Sequence, residues 1–247
     1  MPAIAQAEDR AIALRRAKER KSFTDAQIFD GFFRTAFGAE MRLSDRRSDV
    51  IRKYVTPVRV YVENRAQPDR SAQIAAVAAD IKARVEHLDI AVTTDKQGAN
   101  VTVRLLAQKN FSATLLDFYG AKQGRDILRR LQPQCLSGFQ KSDAFDILRS
   151  DVFLVADRGE FIFLDCAYEE LLQSLGPNND TDKVPWTMFN DAVRMGFFGV
   201  YDQYILNILY HPRIRPGMTR DEVRKLLPEI MPDVRAFVAR TNGLKGP

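Results

Sequence analysis

Apolar and polar positions alternate along this chain in two periods, and the boundaries between them divide it into elements. In residues 24–37, Ile28, Phe29, Phe32, Phe33 and Phe37 recur at helical spacing behind Thr24-Asp-Ala-Gln27, which has the spacing of a capping box, and Gly38 closes the run. Residues 54–62 are rich in branched and aromatic side chains and predict a strand, with Pro57 marking an edge or a bulge. Ile74, Val77, Ile81 and Val85 predict a helix over residues 71–87 that ends at His87. Residues 88–94 and 100–107 alternate around Gln97-Gly98, the pattern of a hairpin.

Further along, residues 113–131 read as helical with interruptions near Gly120 and Gly124, and strands are expected at 135–139 and 151–156. After the Arg158-Gly159 turn, Phe161, Leu164, Leu171, Leu172 and Leu175 form the buried stripe of a helix stopped by Gly176-Pro177. Residues 177–189 are polar and turn-rich. Residues 201–210 form a helix with Ile205, Leu206, Ile208 and Leu209 inward. Thr219-Arg-Asp-Glu222 is a second capping box, opening a helix towards Arg240 with a bend expected at Pro228 and Pro232. This order fits one α+β domain: a small mixed sheet, a central helix at 160–175 and a helical C-terminal half.

The composition sets limits on this picture. At 247 residues, 45% hydrophobic and 28% charged, the chain can bury a substantial core. No apolar run is long enough to be a transmembrane segment. The net charge of +5 favours acidic partners weakly, but basic residues are interleaved with acidic ones and no nucleic-acid signature is present. The basic residues do cluster at the start. Residues 1–21 form a basic arm whose helix, over 7–21, carries Arg10, Arg15, Arg16, Lys18, Arg20 and Lys21; it is either a solvated, fraying helix or a tether to an anionic surface, and the domain proper spans 22–247. Ala5 and Ala7 have the small-x-small spacing of a signal-cleavage site, which points to a periplasmic or secreted protein with a trimmed leader; a cytoplasmic one with a small-residue N-terminus is the alternative. In an exported chain the two cysteines, Cys135 and Cys166, suggest a disulfide.

Candidate chemistry concentrates in the helix at 160–175 and the residues after it. The zinc-peptidase pattern H-E-x-x-H-x-x-G-x-x-H falls here on Glu169, Glu170, Gln173, Gly176 and Asn179. The position of the general-base glutamate and the turn glycine are kept, while Glu, Gln and Asn stand in place of the histidines. With only His87 and His211 in the chain, a three-histidine zinc site is excluded. The spacing would still place Glu169 and Gln173 one turn apart on one face, with Glu170 as candidate base and Asn179 and Asp180 returning towards them. Such oxygen donors suit calcium, magnesium or manganese, so a divalent metal is a possible cofactor held by Glu169, Gln173 and Asn179. In a zincin-like domain, the loop carrying Trp186, Asn190 and Asp191 forms a wall of the cleft, where Trp186 either stacks on a ligand or anchors the loop.

The run Cys166-x-x-Glu169-Glu170-x-x-Gln173-x-Leu175-Gly176-Pro177-x-Asn179-Asp180 is followed by Pro185-x-x-x-Phe189-Asn190-Asp191. Asp202 and Leu209-Tyr210-x-Pro212-x-Ile214-Arg215-Pro216-Gly217-Met218 come next. Together these clusters resemble the bacterial domain of unknown function 2927 family, closely over the second half of the chain. His211 departs from the acidic residue more usual at its position. The resemblance implies a secreted protein or lipoprotein and supplies no reaction. Three readings are open: a non-catalytic, zincin-like domain binding an envelope protein or peptide; an atypical metal-dependent hydrolase or peptidase using Glu169, Glu170 and Gln173; and a purely structural domain.

Overall fold

The computed structural model describes residues 8–38, 49–131 and 134–244. The Ala5/Ala7 cleavage signal and most of the charged connector at 44–49 lie outside the described residues. The elements in chain order are α1 (Arg10–Ala17), α2 (Asp25–Thr35), β1 (Val58–Asn64), α3 (Ser71–Arg84), β2 (Ile90–Val92), β3 (Val101–Leu106) and α4 (Gln108–Tyr119). They continue with α5 (Ala121–Leu131), β4 (Cys135–Lys141), β5 (Ile147–Val155), α6 (Glu160–Ser174), α7 (Val200–Tyr210) and α8 (Arg220–Asn242). This is a mixed α+β fold in one domain.

The sheet runs β2-β1-β3-β5-β4, parallel except for β4, which is an edge strand antiparallel to β5. Parallel central strands buried on both faces need continuous apolar sequence. All six positions of β3 are buried accordingly. One face carries α3 and α6, backed by α2, α7 and α8. The other carries the α4–α5 pair over a small second core of Leu106, Phe111, Leu115, Ile127, Leu136, Phe153 and Val155. Gly124 permits that pair to close up, because a Cβ there would lie 2.9 Å from the Leu116 Cα.

Three sequence expectations change. The strands at 88–94 and 100–107 do not form a hairpin, since β1 lies between them. Val60 is level with both the last residue of β2, Val92, and the first of β3, Val101, so the connection steps across β1 without reversing direction. Asn100 holds that step. Its Oδ1 accepts from Arg59 N at 2.7 Å, and its Nδ2 donates to Pro57 O at 2.9 Å. Pro57 thus precedes an interior strand and marks neither an edge nor a bulge. His87 lies in the turn after α3, whose last helical residue is Arg84.

The capping boxes at Thr24 and Thr219 are both formed. Pro228 and Pro232 sit inside α8. The helix buried on every side is α7, including its polar Asp202, Gln203 and Asn207. Asn207 bridges to the end of α3, accepting from Glu86 N at 2.9 Å and donating to Arg84 O at 2.8 Å. Partners of this kind are what make a buried amide tolerable.

The described part of the basic arm is packed on the domain. Ile12 is buried among the side chains around Gly196 and Phe161. The Arg15 and Arg16 guanidinium groups lie 4.3 Å from the ring centres of Phe161 and Phe197. The Glu19 carboxylate accepts from Val200 N at 2.5 Å, so the arm supplies the N-terminal cap that Gly199 cannot give α7.

Candidate functional site

Asp165, Glu169 and Gln173 are four residues apart and form one stripe along α6, facing the loop that runs from Pro177 to Gly199. The other side of α6 is fixed to the sheet edge by the Cys135–Cys166 disulfide, with the two Cα atoms 5.9 Å apart. Two residues along β4, Ser137 points the same way, and its hydroxyl lies 3.5 Å from Gln173 Oε1. Alternation along the strand accounts for both contacts.

The stripe closes the loop down. Asp165 Oδ1 accepts from Met195 N at 2.7 Å and from Gly196 N at 2.9 Å. Gln173 Nε2 donates to Asp180 Oδ1 at 2.6 Å. Glu169 lies between these two attachments. Burial raises its pKa strongly, and the negative charges of Glu170, Asp180, Asp165 and Asp191 raise it further, so it carries its proton at neutral pH. Glu170 is 6% exposed. Its charge reaches Tyr119, whose phenol is pushed up first by burial and then by Asp151 and Glu170.

The turn after α6 performs the reversal expected of it, with one difference. Gly176 has φ of +140°, and a Cβ there would fall 2.4 Å from the Arg52 carbonyl oxygen, so both backbone and space require glycine. The chain then brings Asp180 back to Gln173, while Asn179 turns away. Its Nδ2 donates to Arg34 O at the end of α2, at 2.7 Å.

This geometry bears on a metal. Gln173 presents its N–H group to Asp180, and reversing the amide would set its oxygen against a carboxylate. Asn179 is committed to α2. Of the three candidate ligands Glu169, Gln173 and Asn179, only Glu169 offers a carboxylate here. No group of three or more His, Cys, Asp or Glu side chains among the described residues is arranged to hold a metal ion. The donor set does not fit a divalent cation.

The loop that carries Trp186 is tied down at several points. Asp202, fully buried in the first turn of α7, accepts from the Thr187 hydroxyl and from Met188 N at 3.1 Å. Burial pushes its carboxyl up to about 7, against the lowering effect of those two hydrogen bonds. Asn190 is buried and folds the loop on itself, donating to Val184 O at 3.0 Å and accepting from Ala192 N at 3.0 Å. Asp191 is exposed. Trp186 leaves this group and joins the arm instead, with its ring centre 5.7 Å from Phe23 and 5.8 Å from Tyr201. The Arg20 guanidinium lies 4.5 Å over the indole.

Beside Trp186 opens a cleft of about 690 Å³ between residues 14–20 of the arm and residues 185–195 of the loop. The candidate residues therefore fall into separate places. Glu169, Glu170, Gln173 and Asp180 lie along α6, Asn179 sits at the end of α2, Asn190 is inside the loop, and Trp186 walls the cleft. Asp165 was legible four residues before Glu169. Nothing in the sequence pairs Glu19 or Arg20 with a loop more than 160 residues away.

Fold and site define a mixed α/β domain whose acidic helix, bridged by a disulfide to an edge strand, is closed by a long ordered loop. Residues 25–229 match the family model described as "Protein of unknown function (DUF2927)", and the chain belongs to that family. No curated protein and no solved structure matches it.

Proposed function

We propose that this protein is a non-catalytic binding domain on a zincin-like frame, and that it seats a peptide segment of an envelope partner beside Trp186. The cleft carries this reading. Its volume of about 690 Å³ lies in the range of sites that enclose small ligands or a few side chains. Trp186 is partly buried, and the loop behind it is fixed by Asp202 and Asn190, so little ordering remains to oppose binding. The disulfide suits an oxidising compartment, which accords with export. No helix of the described residues is long and apolar enough to cross a membrane.

The helix stripe supports the non-catalytic half of the proposal. Gln173 and Asp180 bind one another, and Asp165 binds the loop backbone, so these polar groups hold the structure closed. A hydrolase with Glu170 as base is the second reading, favoured by the protonated Glu169 carboxyl beside it, a candidate acid.

An array of immobilised short peptides tests the first reading. Wild type is expected to mark a subset of sequences, and Trp186→Ala to lose that subset. Signals that Trp186→Ala leaves in place would reject the cleft as the binding site. Peptide hydrolysis that disappears in Glu170→Gln would establish the second reading.

A further inference from the structure

The lining of the Trp186 cleft selects among peptides, a specificity that rests on the binding role proposed for the cleft. Its floor and one wall are apolar or aromatic: Trp186, Tyr201, Pro185, Val193 and Met195. Leu14 adds a 54% exposed aliphatic side chain on the arm side. The polar lining is dominated by one sign. Arg15, Lys18, Arg20 and Arg194 are cationic, and Glu19 is the single carboxylate among the lining residues. Glu19 is turned to the Val200 N–H at the start of α7.

The cations are held at different depths. Arg20 is fixed over the indole by hydrogen bonds to Ser22 O at 2.8 Å and to Gln27 Oε1 at 2.9 Å. Arg15 is fixed to Arg194 O at 2.7 Å, which links the arm to the loop across the cleft. Lys18 and Arg194 are exposed at the rim. Rim charges of one sign steer an oppositely charged ligand and contribute to its selection, while an aromatic wall takes an apolar side chain.

We propose that the cleft recognises an acidic peptide segment that carries an aromatic or large aliphatic side chain. The apolar side chain packs on Trp186 and Met195, and flanking carboxylates face Lys18, Arg20 and Arg194. A concave site between two chain segments suits a protruding side chain better than the flat face of a bilayer. The interleaved acidic residues of the surface disfavour a long polyanion such as nucleic acid.

The test is fluorescence anisotropy with three labelled octapeptides that share two phenylalanines and differ only in having aspartate, asparagine or lysine at the remaining positions. Anionic phospholipid vesicles and a single-stranded oligonucleotide are run alongside. The aspartate peptide is expected to bind at least about tenfold more tightly than the asparagine one at low salt, and the gap to narrow as salt rises. The Lys18→Glu/Arg194→Glu double variant is expected to weaken the aspartate peptide by about tenfold while leaving the thermal midpoint unchanged.

Trp186→Phe, which preserves an aromatic packing partner for Phe23 and Tyr201, is expected to weaken both the aspartate and asparagine peptides. Equal binding of those two peptides, lost in Trp186→Phe, would overturn the acidic preference and leave the binding site standing. Binding by no peptide, or binding indifferent to both variants, would overturn both. Vesicles or oligonucleotide competing through the same residues while the aspartate peptide does not bind would also overturn the proposal.

Discussion

Gln173→Glu separates a structural role for the α6 stripe from a ligand role. The wild-type amide donates to Asp180 Oδ1 at 2.6 Å from a side chain that is 6% exposed. Glutamate replaces that donor with a second carboxylate. A lost hydrogen bond to a charged group costs roughly 1.5–3 kcal/mol. Two like charges about 4 Å apart repel by about 4 kcal/mol at an effective dielectric constant near 20, an upper figure because Asp180 is partly exposed. The molecule limits this cost by keeping a proton on the pair, so the folded pKa of the new carboxyl lies above its unfolded value of about 4.3. Below that value the protonated side chain donates as the amide did, and the variant matches wild type. As pH rises towards the folded pKa, each unit removes about 1.4 kcal/mol, giving a deficit of about 3 kcal/mol at pH 7.

Urea unfolding of wild type and variant at pH 4.5 and pH 7.5 reads this directly, repeated with calcium, magnesium or manganese added. A deficit equal at both pH values would refute the charge argument. A variant rescued by a divalent cation would restore the ligand role that the Gln173–Asp180 contact argues against.

Other perturbations probe the elements around the site. Cys135→Ser/Cys166→Ser removes a link between residues 31 apart in sequence, and loop-closure entropy predicts a loss of about 3–4 kcal/mol, measured as a shift in urea midpoint. Asp202 has its folded pKa raised to about 7, so its favourable contribution is complete below its unfolded value and is lost as pH rises to about 7. The stability difference between Asp202→Asn and wild type should therefore move in favour of the variant from pH 4 to pH 7, and a flat difference across that range contradicts the assignment. Glu19→Ala should cost about 1 kcal/mol through the lost cap on α7 and should speed hydrogen exchange over residues 8–21; unchanged exchange there would mean that α1 is held by other contacts.

The capping boxes at Thr24 and Thr219, the stop at Gly176-Pro177 and the apolar stripe of α6 were legible in the sequence because each is decided within a few residues, by backbone sterics or helical periodicity. The i, i+4 spacing likewise put Glu169 and Gln173 on one face without reference to the rest of the chain. The two cysteines suggested their own bridge by number alone.

Other features depended on contacts between distant segments. Strand alternation at 88–107 is the same whether the strands pair or flank a third, and only the stagger against β1 chose the second. Gly176 announced a turn, but the position of α2 decided that Asn179 would bond to Arg34 and Asp180 would return to Gln173. The basic arm became one wall of a cleft because Ile12 and Glu19 found partners near Gly196 and Val200. Sequence alone determined where helices begin, end and point their apolar faces, since those are local free energies. Only the tertiary structure decided which polar groups satisfy one another and where a cleft opens, because burial and hydrogen bonding between remote segments have no period to read.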